Sequence, residues 1–305
     1  MMLWPGAVLP DLQEKTFLIT GANSGVGFYA AKALAEAGAE VILACRNPQR
    51  GTEAVAAIGK KTRFEQLDLA DFDSIRAFAA RFKTQTGSLD CLMNNAGVMA
   101  PAVRQTTKQG FEIQFGVNFL GHFLLTSLLS DLILNTSHSR VIQLASIAHR
   151  QGEMHWADLQ SEHHYHGWRA YRQSKLAMLI FAQELARRAT QKHLPMLSLA
   201  AHPGIAATEL VRNGPGPRSL IATLQKIAAP FIQQSGEAGA WPLILAATAP
   251  QARQGAYYGP QGWQECRGLP GQAKIEPRAM DTLAGQRLWD IAVALTGADE
   301  PTPCQ

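Results

Sequence analysis

The sequence predicts one doubly wound α/β domain, a mostly parallel sheet of about seven strands with helices on both faces. Short apolar, β-branched runs alternate with longer segments of helical composition, the pattern of parallel strands joined by crossover helices. A glycine turn, Gly21-Ala22-Asn23-Ser24-Gly25-Val26-Gly27, separates the first such run from the first helix. Ala-Gly and Gly-Ala pairs recur along a chain with 26 glycines, which suits close helix–sheet packing. The 305 residues, 47% hydrophobic and 17% charged, can bury the core of one large domain or two small ones. The expected layout is an extension over 1–13, the domain over 14–296 and a tail over 297–305.

Composition excludes several classes of function. Net charge is +4 and no basic block exceeds two or three residues, so no nucleic-acid footprint is expected. Cys45, Cys91, Cys266 and Cys304 lack Cys-x-x-Cys spacing. That points to reduced thiols in a cytoplasmic protein, not to a zinc site or a disulfide framework. The opening Met1–Pro10 is apolar but short, holds two prolines and lacks the charged start of a signal peptide, so no spanning segment is expected there.

In chain order, Thr16–Thr20 reads as a buried parallel strand and Phe28–Ala37 as the helix after the glycine turn. Glycines there let the backbone approach a pyrophosphate, and free N–H groups at the helix start attract its charge. Glu40–Arg46 is the second strand. An NAD site carries an acid near the end of this strand; here Cys45 takes its place and Arg46 follows. Arg46 is either a partner for a 2′-phosphate or a solvated surface arginine. Arg63–Leu69 is the third strand. Asp68 can accept from an adenine amino group or cap the next helix, Ser74–Thr86, for which Asp71 and Asp73 compete. Leu89–Asn94 is the fourth strand and runs into Asn95-Ala96-Gly97, small enough to lie against a cofactor; Asn94 reads as structural. Thr107–Leu134 reads as one long apolar helix. Asn118 inside it is a poor mid-helix residue that marks a kink or a bound water, and His122 reads as a satisfied core histidine. Arg140–Ser146 is the fifth strand, with Ser146 at its carboxyl end, where such folds bind ligands.

Ala170–Lys175 opens a long amphipathic helix and puts Tyr171 and Lys175 on one face. A free tyrosine has a pKa of ~10, and a nearby ammonium favours its phenolate. Alone, the pair is more often a feature of a solvated helix face. The insertion 147–168 holds His149, His155, His163, His164 and His166 without His-Glu-x-x-His spacing, so it reads as a solvated loop with no metal site. His149, three residues after Ser146, is the one placed to face a substrate. Pro195–Ala201 is the sixth strand. Asn213–Pro217 and Leu220–Ile232 suggest a loop and a helical flap, so 205–236 is read as a substrate flap. Glu237–Ala247 is a helix, Gly255–Gly259 the last strand and Pro277–Leu295 a closing helix. Val98, Met99, Met154, Trp156, Leu210 and Val211 lie in segments expected near the mouth, which predicts an apolar substrate.

Thr20-Gly21-x-x-x-Gly25-x-Gly27, Asn94-Asn95-Ala96-Gly97, Asn118, Ser146, Tyr171-x-x-x-Lys175 and Pro203-Gly204 occur in the order of the short-chain dehydrogenases/reductases, a Rossmann-fold family. The chain resembles that family over roughly residues 14–296. Leu43-Ala44-Cys45-Arg46-Asn47, Trp168-Arg169-Ala170-Tyr171 and Gln173-Ser174-Lys175-Leu176-Ala177 most resemble the retinol dehydrogenase and WW-domain oxidoreductase branch. Tyr171 follows Ser146 by 25 positions, a spacing also usual for that branch. The resemblance implies hydride transfer between NADP(H) and a carbonyl or alcohol. It implies Tyr171 as proton donor or acceptor and Lys175 as the residue that holds the nicotinamide ribose and lowers the tyrosine pKa. Ser146 would polarise the carbonyl and Asn118 would order a relay water. Cofactor contacts are implied for Gly21, Asn23, Ser24, Gly25, Val26, Gly27, Arg46, Asp68, Leu69, Asn95, Ala96, Gly97, Tyr171, Lys175, Pro203 and Gly204, with Ile205 and Thr208 near the carboxamide and phosphates. A homo-oligomer through the two long central helices is implied as well. Light-dependent protochlorophyllide reductases share some of these phrases, so C=C reduction is one alternative. A non-catalytic dinucleotide sensor is another, against which the intact Ser146, Tyr171 and Lys175 argue.

Overall fold

The computed structural model describes residues 7–59, 61–206 and 234–298. The first strand, β1 (Thr16–Thr20), is buried along its whole length, and α1 (Gly25–Glu36) carries the chain back to β2 (Glu40–Cys45). Helix α2 (Pro48–Ile58) starts where Asn47 accepts from the Arg50 N–H and Pro48 needs no partner of its own. Then come β3 (Thr62–Gln66), α3 (Phe72–Gln85) and β4 (Cys91–Asn94). The second half runs through β5 (Ser139–Leu144), the long α6 (Gly167–Gln191), β6 (Met196–Ala201), α7 (Gly236–Thr248), β7 (Tyr257–Pro260), β8 (Pro270–Gln272) and α8 (Thr282–Thr296). Helices α4 (Gly121–Leu128) and α5 (Ser130–Leu134) precede β5.

Strand order is β3-β2-β1-β4-β5-β6-β7-β8. Winding reverses between β1 and β4, which opens a crevice beyond their carboxyl ends. Pairing is parallel through β7, and β8 adds antiparallel to it, with Tyr258 opposite Gln272. Among the described residues the sheet therefore has eight strands, not seven. The extra one, Pro270-Gly271-Gln272, has no β-branched residue and is too short to announce itself.

The pleat sends successive side chains to opposite faces. On β1, Leu18 joins one core, with Phe78, Phe119, Phe181 and Leu176; Phe17 and Ile19 join the other, with Leu34, Leu43 and Leu243. Both faces are buried, which is why these strands read as unbroken apolar runs.

The expected helix over Thr107–Leu134 is corrected. Thr106 bridges Glu112 antiparallel, and the Glu112 carboxylate accepts from the Phe115 N–H at 2.8 Å to start the helix there. Phe115–Leu120 is a π-turn, with the Gly121 N–H bonded to the Gly116 carbonyl; α4 follows, and Leu129 separates it from α5. On the same side, α8 lays Trp289 against Phe123 and Phe181, with ring centroids 5.1 and 5.9 Å away. The Arg188 guanidinium covers the indole at 4.2 Å. Among the described residues no helix is long and apolar enough to cross a membrane.

Candidate active site

The segments singled out in the sequence lie just past carboxyl strand ends. Gly21–Gly27 follows β1, Arg46 follows β2, Asp68 and Leu69 follow β3, Asn95–Gly97 follows β4, Ser146 follows β5 and Pro203–Ile205 follows β6. Thr208, Leu210, Val211 and most of 205–236 lie outside the described residues. Ser146 is not the last residue of β5. It stands two positions beyond Leu144 and caps a short 3-10 helix, Ile147–Gln151, accepting from the Ala148 N–H at 3.2 Å.

Tyr171 and Lys175 sit on the first turns of α6, capped by His166, and are 6% and 3% exposed. The Tyr171 hydroxyl lies near enough to Ser146 for the two side chains to interact. Lys175 Nζ donates to the Leu144 carbonyl at 2.7 Å and lies 5.9 Å from the Tyr171 ring centre. Burial pushes Lys175 down to about 8 and Tyr171 up to about 12, with the Ser146 interaction opposing the rise. Here burial outweighs the Ser146 interaction. In the protein alone the Tyr171 pKa is raised, against the lowering that the resemblance implies, because the ring is deeply buried.

The π-turn brings Asn118 to the site. Its Oδ1 accepts from the Val98 N–H at 2.7 Å, while Nδ2 donates to the Val98 carbonyl at 3.0 Å and to Ser174 Oγ at 2.9 Å. All three bonds use the side chain. His122 is fully buried and satisfied, as expected: Nδ1 meets the Asn118 carbonyl at 2.8 Å and Nε2 meets Thr20 Oγ1 at 2.8 Å. Thr20, passed over as a site residue, also accepts from the Asn95 and Ala96 N–H groups at 2.9 Å each, and so ties the glycine turn to the end of β4. Asn94 Nδ2 donates to Thr126, a structural role.

The glycine turn fits a dinucleotide phosphate. Ser24 gives α1 no side-chain cap and no acid lies in its first turn, so among the described residues its leading N–H groups are left without an acceptor from their own helix start. A Cβ on Gly21 would meet Ala96 at 2.9 Å, and the residue has φ +67°, which favours glycine. Gly27 lies against Asn95 Nδ2. Arg46 is exposed beside the buried Cys45. Asp68 is a turn residue, Oδ1 accepting from the Ala70 N–H at 2.9 Å, and Asp71 caps α3 in its stead.

The 147–168 segment is held down, not merely solvated. Gln173 accepts from the His155 N–H and donates to the Leu159 carbonyl, both at 2.9 Å. His163, His164 and His166 are exposed, whereas His149 is buried with Nδ1 at 2.6 Å from the Ser146 carbonyl. Trp156 packs under Arg287 at 4.6 Å.

A doubly wound sheet with a glycine turn after β1 and a serine, tyrosine and lysine meeting past β5 defines a nicotinamide-dinucleotide oxidoreductase. The chain belongs to the short chain dehydrogenases, whose family profile matches residues 15–215. It falls in the retinol dehydrogenase-like branch. It is 37% identical to human retinol dehydrogenase 12 over 293 residues, covering 94% of this chain and 88% of the relative. It is also 37% identical to mouse polyprenol dehydrogenase over 302 residues, covering 95% and 86%. The crystal structure of an uncharacterised protein from Mycobacterium paratuberculosis superposes with a TM-score of 0.80 at 35% identity, covering 98% of this chain and 99% of that one. The family interconverts alcohols and carbonyl compounds and binds a nicotinamide dinucleotide.

Proposed function

We propose that the chain is an NADP(H)-dependent enzyme that interconverts an apolar aldehyde or ketone with its alcohol, with Tyr171 moving the proton. The observation that carries this reading is the contact of Tyr171 with Ser146 beyond β5, with the Lys175 ammonium buried alongside. The nicotinamide, when bound, supplies or takes up the hydride. Gly21, Asn23, Ser24, Gly25, Val26 and Gly27 would hold the pyrophosphate, Arg46 the 2′-phosphate, and Asp68 and Leu69 the adenine. Asn95, Ala96, Gly97, Tyr171 and Lys175 would hold the nicotinamide ribose, and Pro203, Gly204 and Ile205 the carboxamide end.

Ser146 Oγ, outside the sheet and fixed by its own helix cap, orients a carbonyl oxygen and shares the charge that develops there. Tyr171, held protonated by burial, hands its proton to that oxygen as the alkoxide forms. Lys175 supplies the positive charge that makes the resulting phenolate tolerable, at the expense of its own desolvation. The substrate preference is supported by relatives named for retinol and polyprenol.

The test is NADPH oxidation with a panel running from short polar aldehydes to long-chain and ring-bearing ones, on the parent and on Tyr171→Phe. We expect higher kcat/KM for the apolar compounds. Losing the general acid should cost about a hundredfold to ten-thousandfold in rate with an unchanged melting curve. A folded Tyr171→Phe enzyme with near-parent turnover would refute the assignment.

A further inference from the structure

The turn between β7 and β8 holds two consecutive non-glycine residues in the left-handed region, Gln264 at φ +51° and Glu265 at φ +58°. Such backbone persists only where its surroundings over-determine it, and it gathers at functional sites. Here the surroundings come from three other segments. Glu265 Oε2 meets Arg150 Nη2 at 2.7 Å and His202 Nε2 at 3.0 Å, and Oε1 accepts from the Lys274 N–H at 3.1 Å. Arg150 Nη1 also donates to the Gln264 carbonyl at 3.2 Å. His202 is fully buried, and its Nδ1 accepts from the Gly204 N–H at 3.2 Å, so Nε2 carries the hydrogen donated to Glu265. The cluster thus pairs one guanidinium directly with one carboxylate, which also accepts from a neutral imidazole.

Each partner belongs to a different wall of the site. Arg150 rides the 3-10 helix that Ser146 caps. His202 leads into Pro203-Gly204-Ile205, the stretch assigned above to the carboxamide end. That stretch is pressed onto the same turn: the Ile205 N–H donates to the Cys266 carbonyl at 2.8 Å, and a Cβ on Gly204, which has φ +62°, would overlap that carbonyl. Gln234 closes the clasp, donating to the Pro203 carbonyl at 2.8 Å and accepting from the Gly268 N–H at 3.2 Å. Gly259 leaves the space in which the His202 ring lies.

We propose that Glu265 is a positioning residue that holds the Ser146 turn and the Pro203–Ile205 segment in one register, so that the proton-donating wall and the nicotinamide-facing wall of the site meet. The inference rests on the dinucleotide reading given above. Glu265 touches neither Tyr171 nor Lys175, and its effect is confined to the nicotinamide half of the site.

The test compares two probes, NADPH and 2′-phospho-ADP-ribose, which lacks the nicotinamide, on the parent and on Glu265→Gln. The amide keeps the shape and removes the charge. NADPH affinity should fall about tenfold, the loss of one charge-assisted contact, while 2′-phospho-ADP-ribose binds as before. At saturating NADPH, kcat should fall too. Equal losses for both probes, or parent-like values throughout, would overturn the proposal. If Glu265→Gln does not fold, Arg150→Lys carries the test, because an ammonium cannot span both the Glu265 carboxylate and the Gln264 carbonyl. The same selective loss is expected, and parent-like NADPH affinity would overturn the proposal. A parent that binds neither probe removes the dinucleotide reading and this inference with it. A parent that binds both, with no selective loss in the variants, removes this inference alone.

Discussion

Replacing Lys175 with methionine should make the protein more stable at neutral pH while abolishing turnover. Lys175 is 3% exposed, and burial lowers its pKa from 10.5 to about 8. At ~1.36 kcal/mol per unit, the buried ammonium costs about 3 kcal/mol at pH 7. Methionine keeps the stem but leaves the Leu144 carbonyl without its donor, which gives back about 1 kcal/mol. The net gain is about 2 kcal/mol. The pH dependence is the sharper observable. With the folded-state pKa depressed, the unfolded chain binds more protons between about 8 and 10.5, so parent stability is lowest below 8 and climbs through that window. The climb amounts to about 2.5 kcal/mol between pH 7 and pH 10 and is absent in the variant. Tyr171, raised to about 12, takes stability away above pH 10 in both proteins and drops out of the difference. Urea unfolding of the pair at pH 7 and near pH 10 measures it. A variant no more stable at pH 7, or two proteins with the same pH dependence, would refute the argument.

Two further outcomes follow from other parts of the structure. Arg46→Ala should erase a preference for NADPH over NADH of about tenfold to a hundredfold, read from dissociation constants; equal affinities in the parent would sink the 2′-phosphate role. Gln143 is fully buried on β5, and neither end of its amide has a partner among the described residues. Gln143→Met should therefore raise stability by about 1–3 kcal/mol, and a lower melting temperature would count against it.

Much of this was legible in the sequence because a doubly covered parallel sheet writes itself as apolar runs. Thr16–Thr20 and Glu40–Cys45 needed nothing else. The glycine turn and the Tyr171–Lys175 spacing are local, and local signals survive in a string of letters. The π-turn showed only in the misplaced Asn118, because Phe115–Leu120 is buried on every side and shows no periodicity from which to tell one helical pitch from another. Helix α2 buries only Gly51 and Ala54, too little for an apolar stripe. The direction of the Tyr171 shift depends on how deeply α6 is covered, which spacing does not encode. His202 and Glu265, 63 residues apart, carry no shared motif, and only the eighth strand brings them together.

Trp289 settles against Phe123 and Phe181 much as a neighbouring molecule's side chain would, and the chain thereby brings its own companion to the central helices. Self-association through those two phenylalanines requires α8 to be peeled away first. Shortening the chain ahead of Thr282 would turn a sealed aromatic seam into a sticky one, so the last long helix works as a stopper against unplanned contacts as much as a piece of the core.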